Sequence, residues 1–136
     1  MKKFELVPIG VIHSPYREKK DAPHQGRNSP TACEIEIFSD YADGLKDIAL
    51  LPHLVILYWL DRADRRVLTA IPPHSNKEHG VFATRSPDRP NPIGLAVIDL
   101  FSIDGARLIV RGLDALDGTP VLDIKPYSAD IDCVKE

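Results

Sequence analysis

The stretch 93-IGLAVIDLFSIDGARLIVRGL-113 contains the decisive fold signal. Two apolar, β-branched runs, 93–103 and 106–113, flank Asp104-Gly105. A two-residue Asp-Gly link between such runs marks a β-hairpin with a type I′ turn. Upstream, 53-HLVILYWL-60 is a continuous apolar run of strand length and predicts a central strand. Residues 3–12 read as a strand that Pro8 confines to an edge or a bend, and 33-CEIEIFS-39 alternates as a half-buried strand does. Shorter strands at 67–71, 80–84 and 121–125 bring the total to about eight. The segment 40-DYADGLKDIALL-51 fits one short helix, capped by Asp43 and stopped at Pro52. With no βαβ alternation, the fold class is mostly β, an antiparallel barrel or sandwich-like sheet with one short helix and no Rossmann sheet.

Length and composition bound the rest. The chain of 136 residues suits a single domain, residues 1–136, with 43% hydrophobic and 27% charged residues. Its 12 prolines are roughly twice the usual ~5% and favour short strands joined by stiff corners. A net charge of −3 excludes a global basic field, while leaving room for a local cationic patch. Cys33 and Cys133 lie far apart with no CxxC spacing, which reads as two free thiols. Glu5 and Pro8 break any signal-like apolar core, and the run 48-IALLPHLVILYWL-60 is too short to span a bilayer. The expectation is a cytoplasmic protein with no membrane segment.

Several chemistries are missing. Neither GxGxxG nor GxxxxGK[ST] occurs, nor HExxH, nor GxSxG. His74 and His79 stand five apart on a polar loop, and His13, His24 and His53 have no ligand-like spacing, so no metal is expected.

Three segments carry more than turn chemistry requires. In 84-TRSPDRPNPIG-94, Pro87, Pro90 and Pro92 stiffen the chain, and Arg85 and Arg89 can present guanidinium forks to a carboxylate or phosphate. Asn91 adds a donor and an acceptor, and Gly94 permits close backbone approach. By pattern alone this corner reads equally as a rigid hairpin corner with solvated arginines. The long polar segment 13–32, too extended for a plain connection, contains 22-APHQGR-27. The third, 117-DGTPVLDIKPY-127, joins a tight turn to a strand and ends on Tyr127, a residue able to stack on a flat ring.

Together IGVIHSPY (9–16), APHQG (22–26), GVFATRSPDRPNPIGL (80–95) and DGTPVLDIKPY (117–127) resemble, in order, the signatures of the TrmO/TsaA-like family (YaeB, VirR). The resemblance implies a β-barrel S-adenosyl-L-methionine-dependent tRNA (adenine-N6)-methyltransferase. Its substrate would be N6 of N6-threonylcarbamoyladenosine beside the anticodon, and it would work as a homodimer with the site near the subunit interface. Carried over by position, the resemblance implies cofactor contacts from Pro23, His24 and Gln25, from Asp61 and Arg62, from Arg85, from Leu95, and from Asp117, Gly118, Thr119 and Pro120. Longer bacterial members carry a further C-terminal domain that residues 1–136 do not include, which bears on tRNA affinity more than on chemistry. The run 62-RADRR-66 departs from the family pattern.

Methyl transfer from a sulfonium is an in-line displacement needing alignment and exclusion of water, with no metal. An N6 nucleophile is helped by an acceptor for its proton, and Asn91 is the expected acceptor with Asp123 as runner-up. Arg89 is assigned to the threonyl carboxylate, and Arg62, Arg65, Arg66, Lys19 and Lys20 to the tRNA backbone. Two other readings stand beside this one. They are an S-adenosyl-L-methionine-binding regulatory module without methyl transfer, and a methyltransferase of the same fold with another substrate.

Overall fold

Alternating burial along short strands builds the wall of a closed barrel. The computed structural model describes residues 1–23 and 26–135. Its strands are β1 (Gly10–His13), β2 (Ala32–Ile37), β3 (His53–Trp59), β4 (Thr69–Ala70), β5 (His79–Gly80), β6 (Ile93–Asp104), β7 (Arg107–Arg111) and β8 (Pro120–Pro126), followed by the helix α1 (Ala129–Asp132). Six of them pair antiparallel in the order β1-β2-β7-β6-β3-β8, which closes back on β1, and β4 and β5 form a small separate ladder. The expected mostly-β barrel is therefore the fold. Among the described residues no helix is long and apolar enough to cross a membrane.

Every second residue of the wall points inward. Ile12, Ile35, Leu54, Ile56, Ile98, Leu108, Val110 and Val121 are all fully buried. On β3 the inward set is Leu54, Ile56 and Tyr58. The continuous apolar run of β3 thus conceals a period-two pattern, its outward residues being covered only in part.

Local details differ from expectation for identifiable reasons. The hairpin register pairs Asp104 with Arg107, so its loop is Gly105-Ala106. Gly105 takes φ 59, while Asp47 is the only non-glycine with positive φ among the described residues. A left-handed first position alone is the type II′ pattern, not type I′. Residues 39–51 form no α-helix. They make 3₁₀ turns at Ser39–Leu45 and Ile48–Leu50, separated where Asp47 enters the left-handed region at φ 70. Several turn-forming aspartates and Gly44 lie in this stretch, which disfavours a continuous α-helix. The short α-helix is instead at the end of the chain. The first strand begins only at Gly10, past Pro8, and leaves Phe4, Leu6 and Val7 exposed. The strands expected at 67–71 and 80–84 shrink to two residues each, and Val81–Ala83 is a 3₁₀ turn.

Strand direction decides what meets at each end of the barrel. Successive wall strands reverse, so the connections 14–31, 60–92 and 112–119 share one end, while 38–52 and 105–106 lie at the other. Cys33 is buried, where desolvation pushes its thiol up to about 11, and Cys133 is exposed; both are free.

Gly94 sits opposite Tyr58 in the β3–β6 register, and a Cβ on it would fall 2.2 Å from a Tyr58 ring carbon. Tyr58 is only 3% exposed and cannot swing away. Gly94→Ala is expected to cost about 1–3 kcal/mol by overpacking. Gly44→Ala meets nothing within 4 Å and is expected to be neutral or slightly stabilising. Thermal denaturation of the two variants beside wild type checks the contrast.

Candidate functional site

The three connections at the shared end contain most of the residues singled out from the sequence. Pro23 belongs to the first. Asp61, Arg62, Arg85, Arg89 and Asn91 belong to the second, and Asp117, Gly118 and Thr119 to the third. Pro120 opens β8 directly beneath. His24 and Gln25 lie outside the described residues.

Backbone and side-chain hydrogen bonds sew the third connection to the first. Asp117 N donates to Tyr16 O at 2.7 Å, and Gly118 N to Ile12 O at 2.8 Å. Ser14 N donates to Asp117 Oδ1 at 3.0 Å, and Ser14 Oγ to Ala115 O at 2.8 Å. Thr119, 3% exposed, directs its hydroxyl to Leu116 O at 2.6 Å. It therefore shapes the turn rather than offering a free donor. Gly118, at φ 86, is exposed, and nothing lies within 4 Å of where a Cβ would stand. Oδ2 of Asp117 has no partner among the described residues. A cavity of about 400 Å³ lies beside this turn, lined in part by Ser14, Pro15, Arg17 and Asp117.

The second connection joins them through arginines. Arg62 donates to Arg17 O at 2.8 Å and to Asp117 O at 3.2 Å, bridging all three connections. Arg65 donates to Pro90 O at 2.7 Å and Asn91 Oδ1 at 3.1 Å, and its guanidinium lies 5.1 Å from the centre of the Trp59 ring. Asp88 accepts from Asp64 N at 2.9 Å. Arg89 has both Nη atoms engaged, on Thr84 O and Ser86 O at 3.0 Å each and on Val81 O at 2.8 Å. These contacts make it a brace for its own loop. Arg85 is exposed and makes no hydrogen bond among the described residues.

Three expected residues are not gathered here. Leu95 is 52% exposed on the outer wall, opposite Leu57. Asp123 lies within β8, where its Oδ1 accepts from the neighbouring Ile124 N at 2.9 Å and its Oδ2 pairs with Lys125 at 3.1 Å. It helps line a cavity of about 680 Å³ against the 39–51 segment, at the opposite end of the barrel. Tyr127 is at that end too, edge-on to His53 with ring centres 6.3 Å apart. Of the cationic residues, Arg66 is paired to Asp64 at 3.2 Å and Lys20 to Glu18 at 3.1 Å.

Motif reading missed Tyr58 and Asp114. The Tyr58 hydroxyl donates to Asp114 Oδ1 at 2.6 Å, fastening the start of the third connection to β3. Burial, then the Asp114 charge and hydrogen bond, push the phenol well above its ordinary pKa, so it remains a donor. The one signal in the sequence was a tyrosine at an inward position of β3. Strand pairing also gathers His13, Glu34 and Glu36, whose donor atoms lie within 4.8 Å of one another, a grouping that linear spacing does not reveal. Arg107 already sits on both carboxylates, 2.5 Å from Glu34 and 3.6 Å from Glu36, which makes this an ion-pair ladder on the outer wall.

Comparison with known proteins gives consistent results. The family model described as the tRNA-methyltransferase O N-terminal domain matches residues 11–133. A "Probable S-adenosyl-L-methionine-binding protein" of Archaeoglobus fulgidus is 61% identical over 134 residues, covering 98% of this chain and 37% of the relative. The "tRNA (adenine(37)-N6)-methyltransferase" of Escherichia coli is 39% identical over 138 residues, covering 93% of this chain and 59% of that protein. The crystal structure of TrmO from Pseudomonas aeruginosa superposes with a TM-score of 0.83 at 34% identity, over 99% of this chain and 60% of that one. The chain thus spans less than two thirds of the length of each of these relatives.

Tyr58→Phe removes the donor to a half-buried carboxylate and is expected to cost about 2 kcal/mol. Chemical denaturation should show the loss, with an unchanged m-value.

Proposed function

Because the chain belongs to the tRNA-methyltransferase O N-terminal domain family, we propose that it is an S-adenosyl-L-methionine-dependent methyltransferase acting on N6 of N6-threonylcarbamoyladenosine next to the tRNA anticodon. The observation that carries this reading is the junction of the three motif-bearing connections at Arg62 and Asp117. The residues there suit such a cofactor. The Asp117 carboxylate oxygen left unpaired among the described residues can accept from hydroxyl or ammonium groups, and exposed Gly118 admits close approach to the backbone. S-adenosyl-L-methionine supplies a methyl group on a sulfonium and departs as the neutral thioether.

The chain's residues would orient and shield. Pro23, His24, Gln25, Asp61, Arg62, Arg85 and the Asp117–Pro120 turn are proposed as cofactor contacts, with Leu95 contributing from the outer wall. Asn91 Oδ1 accepts from Arg65 and keeps a second lone pair to accept a hydrogen bond from N6–H, while the proton released as the new N–C bond forms passes to solvent. Arg85, which makes no hydrogen bond among the described residues, is better disposed than the engaged Arg89 to meet the threonyl carboxylate. Arg62, Arg65 and Lys19 would face the tRNA backbone, giving salt-sensitive binding. Leu68, Ile71, Phe82, Ile93 and Leu95 are 44–83% exposed and offer apolar surface for a homodimer. Residues 1–136 would act as one TsaA-like β-barrel domain in the cytoplasm, where tRNA is modified.

A binding module without methyl transfer is the second reading, favoured by the A. fulgidus relative that is named only for binding S-adenosyl-L-methionine. Release of S-adenosylhomocysteine separates the two. It is expected with tRNA bearing the threonylcarbamoyl group and not with tRNA lacking it; no release with either, despite cofactor binding, favours the module. Arg89→Ala should unbrace the 81–89 loop, so that cofactor affinity and turnover fall together. Loss of turnover alone would return Arg89 to a direct substrate role.

A further inference from the structure

Arg27 ends the APHQGR stretch and lies on the 3₁₀ turn Gly26–Asn28. Its Nη1 donates to Asp99 Oδ1 at 2.7 Å, joining residues 72 apart in sequence. Asp99, whose side chain is 15% exposed, also accepts from His53 Nδ1 at 2.8 Å and Arg111 Nη2 at 3.1 Å. Register explains two of these partners, because Asp99 stands opposite His53 on β3 and opposite Arg111 on β7. The third partner, Arg27, reaches in from a connection. Burial alone would raise the Asp99 carboxyl, but hydrogen bonds from Arg27, Arg111 and His53 outweigh it and hold the group below the usual carboxylate range. A carboxylate only accepts, so His53 Nδ1 carries the proton in this contact.

The neighbours of Arg27 are fastened as well. A Cβ on Gly26 would stand 2.5 Å from Gly112 O and 2.8 Å from Asp114 N, so the backbone here lies directly on the third connection. Ser29, 8% exposed, shares a hydrogen bond of 2.9 Å with the Tyr16 hydroxyl. The stretch after the His24-Gln25 pair is therefore held to the barrel wall by one ion pair and to the loop end by close packing.

We propose that Asp99 is a positioning residue that acts through Arg27. It anchors the C-terminal arm of the 14–31 connection, which packs on the third connection at Gly26, and so sets the affinity for cofactor without touching it. The inference rests on the cofactor reading given above. His53 donates a hydrogen bond to the same carboxylate and Arg111 pairs with it from within the sheet, and they serve the wall rather than the loop.

Isothermal titration with S-adenosyl-L-methionine, thermal unfolding and hydrogen exchange test this on the intact chain. Arg27→Ala is expected to weaken binding about tenfold, as for a site that must re-order a loop, with little change in Tm. The double variant Arg27→Ala/Asp99→Ala should bind no more weakly than Arg27→Ala, because both act through one contact. Arg111→Ala removes a partner of the same carboxylate on the wall and should lower Tm while leaving affinity within about twofold. In steady state, Arg27→Ala should raise KM for the cofactor with kcat unchanged. Unchanged affinity in Arg27→Ala, or affinity that simply follows Tm across all variants, overturns the proposal. Should wild type bind no cofactor, the functional reading fails, and hydrogen exchange decides the anchor by itself. Protection across residues 18–29 must then drop in Arg27→Ala, and its persistence sinks the anchor.

Discussion

Everything at the loop end depends on the seam that closes the barrel. Only two register pairs, Gly10 with Val121 and Val11 with Pro120, join β1 to β8. Ile9 N to Val121 O at 2.8 Å and Ile12 N to Thr119 O at 2.9 Å complete it. Unclosed, the six strands would be an open sheet with two unsatisfied edges. On the other side of β1, Gly10 lets the strand lie close against β2, since a Cβ there would fall 2.3 Å from Glu36 O. The seam then continues beyond the strands, through Gly118 N to Ile12 O and Asp117 N to Tyr16 O. The Asp-Gly-Thr-Pro turn is thus part of the closure as well as part of the candidate site, so its buried threonine and left-handed glycine are needed before any ligand is considered.

Closure also separates stability from chemistry. The core is aliphatic apart from Cys33, Tyr16 and Tyr58, and the two tyrosine hydroxyls are satisfied by Ser29 and Asp114. Polar function is left to connections that have little apolar surface of their own to bury. Guanidinium groups supply the missing cohesion. Arg62, Arg65 and Arg89 each donate to carbonyls of neighbouring segments, and the prolines between them limit the alternatives. Such braces restrict the described parts of these connections before binding, which lowers the entropic cost of taking a ligand.

Much of this was legible in the residues. Apolar alternation and turn chemistry are local, so the strands near 33–37, 53–59, 93–104 and 107–111 could be read from the chain alone. The 39–51 segment misled because its apolar spacing suits a helix while its aspartates and Gly44 favour tighter turns, and Asp47 breaks the path. Arg89 is ambiguous in sequence for a related reason. An arginine among prolines looks the same in sequence whether its fork faces a ligand or the carbonyls of its own loop.

By itself, then, the sequence determined the mostly-β class, the order of the strands and the motif segments that place the chain in its family. It did so because period-two burial, glycine and proline act within a few residues of where they stand. The tertiary structure alone decided which of these segments meet. Ser14 reaches Asp117 across 103 residues and Arg27 reaches Asp99 across 72, while Asp123, only six residues from Asp117, faces the far cavity. Such meetings follow from strand direction and register around a closed ring, properties of the whole sheet that no short stretch of chain encodes.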